Sequence, residues 1–257
     1  MGADLSHLGV GRPGGNPKCN GTPCGCRGKP AMPYTALVPV KALNTAKSRL
    51  SPYLTQSQRE TLVLDMLSHV LRVLLDSQLF ARVSVVSPDM RVLEQAKAWG
   101  ALPVREDYRE HNPALHSAAL KEQAAGATAI LTISADLPLL CTGDIQAMIE
   151  QSQQYQVILA PAQAGTGTNA MLVRPPLALP YLFGPKSLQH HLQAAGQREL
   201  STILYNSTGL ALDIDTIDDL HLLPNLYPVA SLTTPRGTTT PSTRGNEHSG
   251  DPCSRQV

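Results

Sequence analysis

The chain has 257 residues, of which 42% are hydrophobic, 16% charged and 4% aromatic, with a formal net charge of +1. Those proportions fit a globular protein and exclude a fibrous chain, a membrane bundle and a wholly disordered polypeptide. The charge is uneven: residues 1–33 hold 4 basic against 1 acidic side chain, residues 228–257 hold 3 against 2, and the 194 residues between them hold 14 against 17, a net of −3. A segment of that sign is a poor match for sequence-independent nucleic-acid binding, which rests on Lys and Arg neutralising phosphates.

Residues 1–33 contain 8 Gly and 5 Pro, and residues 228–257 contain 10 Ser or Thr and 4 Pro. Neither end has the apolar side chains needed to offset ordering entropy, so both are expected to be disordered tails around one domain spanning 34–227. Cys19, Cys24 and Cys26 lie in the leader, Cys141 in the core and Cys253 in the tail, which is no disulfide framework and lacks the paired C-x-x-C spacing of a zinc site. No run approaches the roughly 18 consecutive apolar residues of a membrane span, and the leader has no signal-peptide-like apolar stretch, so a cytoplasmic chain without a membrane partner is expected.

Between the tails, short apolar runs alternate with segments of helical period, the signature of an α/β sheet covered by helices. Thr35–Val40 reads as the first strand. A long helix follows, opened by a Thr55–Gln58 capping box and carrying Leu62, Met66, Leu67, Val70, Val73 and Leu74 at three- and four-residue steps up to Gln78. Arg82–Ser87 reads as a strand, Asp89–Trp99 as a helix ended by Gly100, and Leu102–Arg105 as a third strand. Asn112 is placed to cap a helix with Pro113 at its first position, running to Ala125. Thr128–Ser134 reads as a buried strand and Thr142–Gln153 as a helix. Gln156–Ala160 and Thr168–Val173 read as two strands around a Gly-rich loop. Ser187 is placed to cap a helix to Ala195, and Leu210–Ile214 reads as a last strand before a helix opened by Thr216.

Four constellations could carry chemistry. Lys41, Lys47, Ser48 and Arg49 put three cations and a hydroxyl into nine residues directly after the first strand, where doubly wound sheets collect ligands, and this composition suits a polyphosphate. The loop is neither a Walker A motif nor a G-x-G-x-x-G fingerprint. Asp136 follows a wholly apolar strand, and Asp213 and Asp215, two residues apart, share a face if their segment is extended; such carboxylates suit Mg²⁺, with helix capping as the plain alternative. Gly165-Thr166-Gly167-Thr168-Asn169 lets backbone amides and side-chain donors approach an anion, and Phe183-Gly184-Pro185-Lys186-Ser187 places donors at a helix start. The histidines form no catalytic or metal cluster by spacing.

Taken in order, these motifs, with Ala135-Asp136-Leu137-Pro138-Leu139 and Asp213-Ile214-Asp215-Thr216 among them, resemble the 2-phospho-L-lactate guanylyltransferase family of coenzyme F-420 biosynthesis over about residues 34–222. The resemblance implies a single Rossmann-like, glycosyltransferase-A-like nucleotidyltransferase domain of α/β class, with a mostly parallel mixed sheet flanked by helices. It implies GMP transfer from GTP, with Mg²⁺, to 2-phospho-L-lactate, phosphoenolpyruvate or 3-phosphoglycerate. By motif, Thr168, Asn169, Gly184 and Ser187 would bind the phospho-acid; Lys41, Lys47, Ser48 and Arg49 the nucleotide; and Asp136, Asp213 and Asp215 the metal. Asp136, Lys41, Lys47 and Arg49 are the candidate catalytic groups.

The chain departs from the family pattern at Ala162-Gln163, where Asp-Arg is expected, and at His111-Asn112, where Leu-Asn is expected; both bear on substrate choice more than on reaction class. The partners implied are small molecules, with a homodimer and a hand-off to the downstream transferase left open. A related nucleotidyltransferase acting on a molybdopterin or sugar phosphate, and a non-enzymatic nucleotide-binding domain, are the alternatives.

Overall fold

The computed structural model describes residues 34–106 and 110–222. The leader, the tail from 228 and four of the five cysteines lie outside the described residues. In chain order the elements are β1 (Tyr34–Pro39), a 3₁₀ turn (Ser48–Leu50), α1 (Gln56–Asp76), β2 (Phe80–Ser87), α2 (Met90–Ala98), β3 (Leu102–Arg105), α3 (His111–Ala124) and β4 (Ala129–Ile133). There follow α4 (Thr142–Gln151), β5 (Val157–Pro161), β6 (Thr168–Val173), α5 (Ser187–Gln197), β7 (Thr202–Leu204), α6 (Thr208–Ala211) and α7 (Ile217–His221).

The strands form one sheet in the order β3-β2-β1-β4-β6-β5-β7. All pairings are parallel except those of β6, which runs antiparallel to both β4 and β5. Strand alternation sorts the core into two layers. Ala36, Val38, Leu131, Ile133, Ala170 and Leu172 face α1, α2 and α4, while Leu37, Ile130, Met171 and Val173 face α3 and α5. This double coverage explains why the strands are apolar on both faces. A third cluster of Leu50, Leu54, Leu62, Met66, Leu212, Ile214 and Leu220 fastens the 3₁₀ turn and the segment after α6 to α1.

The α1 capping box forms as its sequence predicts, with Thr55 Oγ1 accepting from the Gln58 amide and Gln58 Oε1 accepting from the Thr55 amide. Three expectations are corrected. The cap of α3 is Glu110, and Asn112 sits inside the first turn with its side chain turned outward to another loop. The cap of α5 is Lys186, in the left-handed region at φ 56, which makes Ser187 the first helical residue. Leu210–Ile214 is not a strand: Ser207 caps the short α6, and the chain then runs on without a sheet partner. Among the described residues, no helix is long and apolar enough to cross a membrane.

Candidate active site

A cavity of about 450 Å³ opens where the carboxyl ends of β1, β4 and β5 meet the start of β6. The reversed direction of β6 is decisive here, because it brings the first residues of that strand, Thr168 and Asn169, to the edge at which its neighbours end. The ladder continues past β4, with the Ser134 amide donating to the Asn169 carbonyl at 2.8 Å. Lys41, Lys47, Asp136, Thr168, Asn169, Gly184, Ser187, Asp213 and Asp215 all line this one cavity. Ser48 and Arg49 do not: Ser48 begins the 3₁₀ turn, and the exposed Arg49 reaches only Asp215, at 3.5 Å from outside. A wider hollow of about 800 Å³ beside α5 has no carboxylate among its lining residues.

One end of the cavity is ionic. Asp136, Asp213 and Asp215 each offer a carboxylate oxygen, and the three oxygens lie within 4.8 Å of one another. The convergence of Asp213 and Asp215 follows from Ile214, whose buried side chain enters the third cluster and whose amide donates to the Asp136 carbonyl at 3.3 Å. Lys47, held in the left-handed region at φ 51, turns its ammonium into this end. Its Nζ donates to Asp136 Oδ2 and, at 2.9 Å, to Asp215 Oδ1. Burial pushes the Lys47 pKa down, but the two carboxylates outweigh it and hold the group above its usual value. Burial likewise pushes Asp136 up, and the Lys47 charge overrides it to leave that carboxyl below the usual range. Asp213 is raised by burial and by Asp136 and Asp215, against an opposing hydrogen bond from Asn169. Asp136 Oδ1 is buried without a hydrogen-bond partner. Clustered hard oxygen donors, one of them buried and bare, fit Mg²⁺.

The other end, among the described residues, has no carboxylate and is rich in donors. Ser187 Oγ donates to Thr168 Oγ1 at 3.2 Å, and both hydroxyls face the cavity beside Gly184. Gly184 has φ +131, a conformation that side chains resist. Two amides of the first turn of α5 are already satisfied, Ser187 by the Gly184 carbonyl at 3.1 Å and Leu188 by the Thr166 carbonyl at 3.2 Å. The anion chemistry left at this end therefore rests on the hydroxyls, the Gly184 backbone and the helix dipole. Asn169 also lines the cavity, and its Nδ2 lies at hydrogen-bond distance from the Leu210 and Ala211 carbonyls and from Asp213, at 3.0, 3.1 and 3.2 Å. Asn169 thus orients the carboxylate end.

Three further groups border the site: Asn112 and His111, which the sequence marks as a departure bearing on substrate choice, and His191, which it does not mark. Asn112 brackets the loop before α5, with Nδ2 donating to the Phe183 carbonyl and Oδ1 accepting from the Phe183 amide, each at 3.0 Å. His111 lines the cavity, its pKa lowered by burial and by Lys41. His191 lies behind Thr168; its place four residues after Ser187, on the same helical face, was the available signal.

A family model described as Guanylyl transferase CofC like matches residues 34–224, which takes in every group of the cavity. The chain belongs to this family. A phosphoenolpyruvate guanylyltransferase of Rubrobacter xylanophilus is 41% identical over 190 residues, covering 74% of this chain and 92% of the relative. A 2-phospho-L-lactate guanylyltransferase of Methanothermobacter thermautotrophicus is 35% identical over 190 residues, covering 74% and 83% respectively. In fold, the chain is similar to a crystal structure assigned to the nucleotide-diphospho-sugar transferases, from Desulfovibrio desulfuricans G20, with TM-score 0.64, 17% identity, and coverage of 77% of this chain and 94% of the other. The guanylyl transferase family is an enzyme family of nucleotidyltransferases, and the mixed seven-stranded sheet agrees with that fold.

Proposed function

We propose that the protein transfers GMP from GTP to the phosphate of phosphoenolpyruvate, releasing pyrophosphate, as a step of F-420 biosynthesis in the cytoplasm. The observation that carries this reading is the polarity of the cavity, with a carboxylate triad at one end and a hydroxyl pair free of fixed negative charge at the other. Phosphoenolpyruvate is preferred because a relative of that name is 41% identical, against 35% for the 2-phospho-L-lactate enzyme.

In the reaction an oxygen of the acceptor phosphate attacks the α-phosphorus of GTP, a new P–O bond forms, the α–β anhydride bond breaks, and pyrophosphate leaves. The acceptor phosphate has a second pKa of about 6 and is largely dianionic at neutral pH, so no residue need remove a proton. The protein's task is to bring two polyanions into line. Thr168, Gly184 and Ser187 hold the acid at the donor-rich end, and Lys41 and Lys47 bring positive charge from the first loop. Arg49 adds a screened charge at the rim. Held by Asp136, Asp213 and Asp215, Mg²⁺ would neutralise charge on the triphosphate and on the departing pyrophosphate. The product is a mixed phosphoric anhydride, a form suited to consumption by a downstream transferase.

The test is pyrophosphate release from purified protein with GTP and Mg²⁺, offering phosphoenolpyruvate, 2-phospho-L-lactate and 3-phosphoglycerate separately, with ATP and CTP as controls. Release with GTP and phosphoenolpyruvate is expected. Release with another acid alone reassigns the acceptor, and silence with all three from folded, GTP-binding protein overturns the reading.

A further inference from the structure

His191 is fully buried on α5, and no step of the reaction above uses it. Both of its ring nitrogens are engaged. The Leu182 amide reaches Nε2 at 3.1 Å, and Nδ1 lies 3.2 Å from Thr168 Oγ1. An amide N–H can only donate, so Nε2 is bare, and a neutral imidazole then carries its proton on Nδ1. Burial keeps the ring neutral, its pKa pushed down to about 4, with His190 contributing. Phe183 meets the ring edge-on at 5.1 Å between centroids and limits its rotation. Nδ1–H therefore donates to Thr168 Oγ1, which also accepts from Ser187 Oγ. Two donors fill both lone pairs of the Thr168 hydroxyl. Its own proton is left to point at an anion in the cavity that Thr168 lines.

We propose that His191 is a positioning residue for the acceptor: its Nδ1–H sets the direction of the Thr168–Ser187 hydrogen bonds so that the Thr168 hydroxyl donates to the anionic group of the phosphorylated acid. The identity of that acid rests on the guanylyl-transfer reading, whereas the direction of the hydrogen bonds does not. Without the imidazole, the two hydroxyls can exchange donor and acceptor roles, and the fixed donor facing the acid is lost.

Two measurements test this. The first is the nitrogen NMR spectrum of wild-type protein labelled at histidine, with the His191 signals assigned by their loss in His191→Asn. The neutral tautomer protonated at Nδ1 is expected at pH 7, and the Nε2–H tautomer or an imidazolium overturns the proposal. The second is steady-state kinetics. His191→Leu is expected to raise the acceptor KM about tenfold while leaving kcat and the GTP KM within about twofold. His191→Asn, which keeps an N–H near the Nδ1 position, is expected to recover most of the loss. In a Thr168→Val background the Leu substitution should add less than about twofold, because the group through which it acts is gone. Equal rises in both KM values, or effects that multiply with Thr168→Val, overturn the proposal. If His191→Leu does not fold, the wild-type spectrum decides alone. Absence of turnover with every acid counts against the guanylyl-transfer reading, and the tautomer still decides the hydrogen-bond direction.

Discussion

Asp136 and Lys47 form a half-buried ion pair whose members come from loops 89 residues apart. Removing one partner from such a pair usually leaves an uncompensated charge, but here Lys47 keeps Asp215 as a second partner. Asp136→Asn is therefore expected to fold with a melting temperature near wild type while turnover falls at least about 100-fold, since it removes one of the three carboxylates that would hold the Mg²⁺ that neutralises the triphosphate. Circular dichroism and pyrophosphate release check the two halves separately. His191 gives a second residue-scale prediction. Burial pushes its pKa down to about 4 in the folded chain from the ordinary imidazole value of 6.5, so between those limits the unfolded chain binds the extra proton. Folding stability should then fall as pH drops from 6.5 to 4, by on the order of 3 kcal/mol, and the contribution should be level above that window. His69 and His111, both pushed down mainly by burial, add with the same sign. Denaturant unfolding across that pH range should show a shallower slope for His191→Asn. The sequence offered Lys47 as a candidate because it is one of three cations after the first strand, and Asp136, Asp213 and Asp215 because each ends or flanks an apolar run; the structure brings the four to one cavity. It did not disclose what His191 does, because the partners that orient the ring, Leu182 and Thr168, reach it only in the folded chain.

Among the elements, those with self-contained signals were the legible ones. The start of α1 follows from Thr55 and Gln58, its far end falls at Asp76, two residues short of the expected Gln78, and the bounds of β3 and β6 agree with their expected runs. β7 escaped because it is three residues long, lies at the sheet edge and is only partly buried, so no alternation marks it. Leu210–Ile214 misled for the opposite reason: a short apolar run bounded by polar residues fits a strand or a turn of helix equally well. Ser207, whose Oγ accepts from the Leu210 amide at 3.1 Å, makes Thr208–Ala211 a turn of helix, and residues 212–214 follow in neither helix nor strand. Asn112 shows how an element can be tied to the site by a residue whose local preference suggests a cap. Its amide replaces a strand-like pair of hydrogen bonds to Phe183 and so couples α3 to the loop carrying Gly184 and Ser187. Asn112→Ala leaves the Phe183 amide and carbonyl without those partners, and should cost about 1–3 kcal/mol and raise the acceptor KM more than the GTP KM. Thermal unfolding and steady-state kinetics measure both.

For the whole molecule, the distribution of charge matters more than its total. The 194 residues from 34 to 227 carry net −3, although both proposed substrates are polyanions. Local arrangement, not a basic surface, must do the attracting. Chelation should therefore reduce pyrophosphate release to background, with Mg²⁺ restoring it. Raising NaCl from about 0.05 to about 0.3 M should change turnover by less than about threefold, unlike the steep loss of a protein held to phosphates by a field of lysines. Parallel runs of activity against chelator and salt distinguish the two.

The antiparallel turn of the sheet reaches further. The six residues 162–167 that join β5 to β6 start and finish on neighbouring strands, closed by the Ala162 amide donating to the Gly167 carbonyl at 3.1 Å. Gly167 packs closely on Ala162, whose Cβ a new methyl would meet at 3.0 Å, so a larger side chain there requires Ala162 to give by a few tenths of an ångström. The strand pairing fixes both stems, and a replacement connection must also keep the ties of this loop to its neighbours, the Thr166 carbonyl accepting from the Leu188 amide at 3.2 Å and the Gln163 amide donating to the Ala211 carbonyl at 2.8 Å. Ala162 and Gly167 both border the cavity. A descendant could thus acquire a taste for a different acid by rewriting one short hairpin, and a loop transplant between relatives is a direct route to re-engineering it.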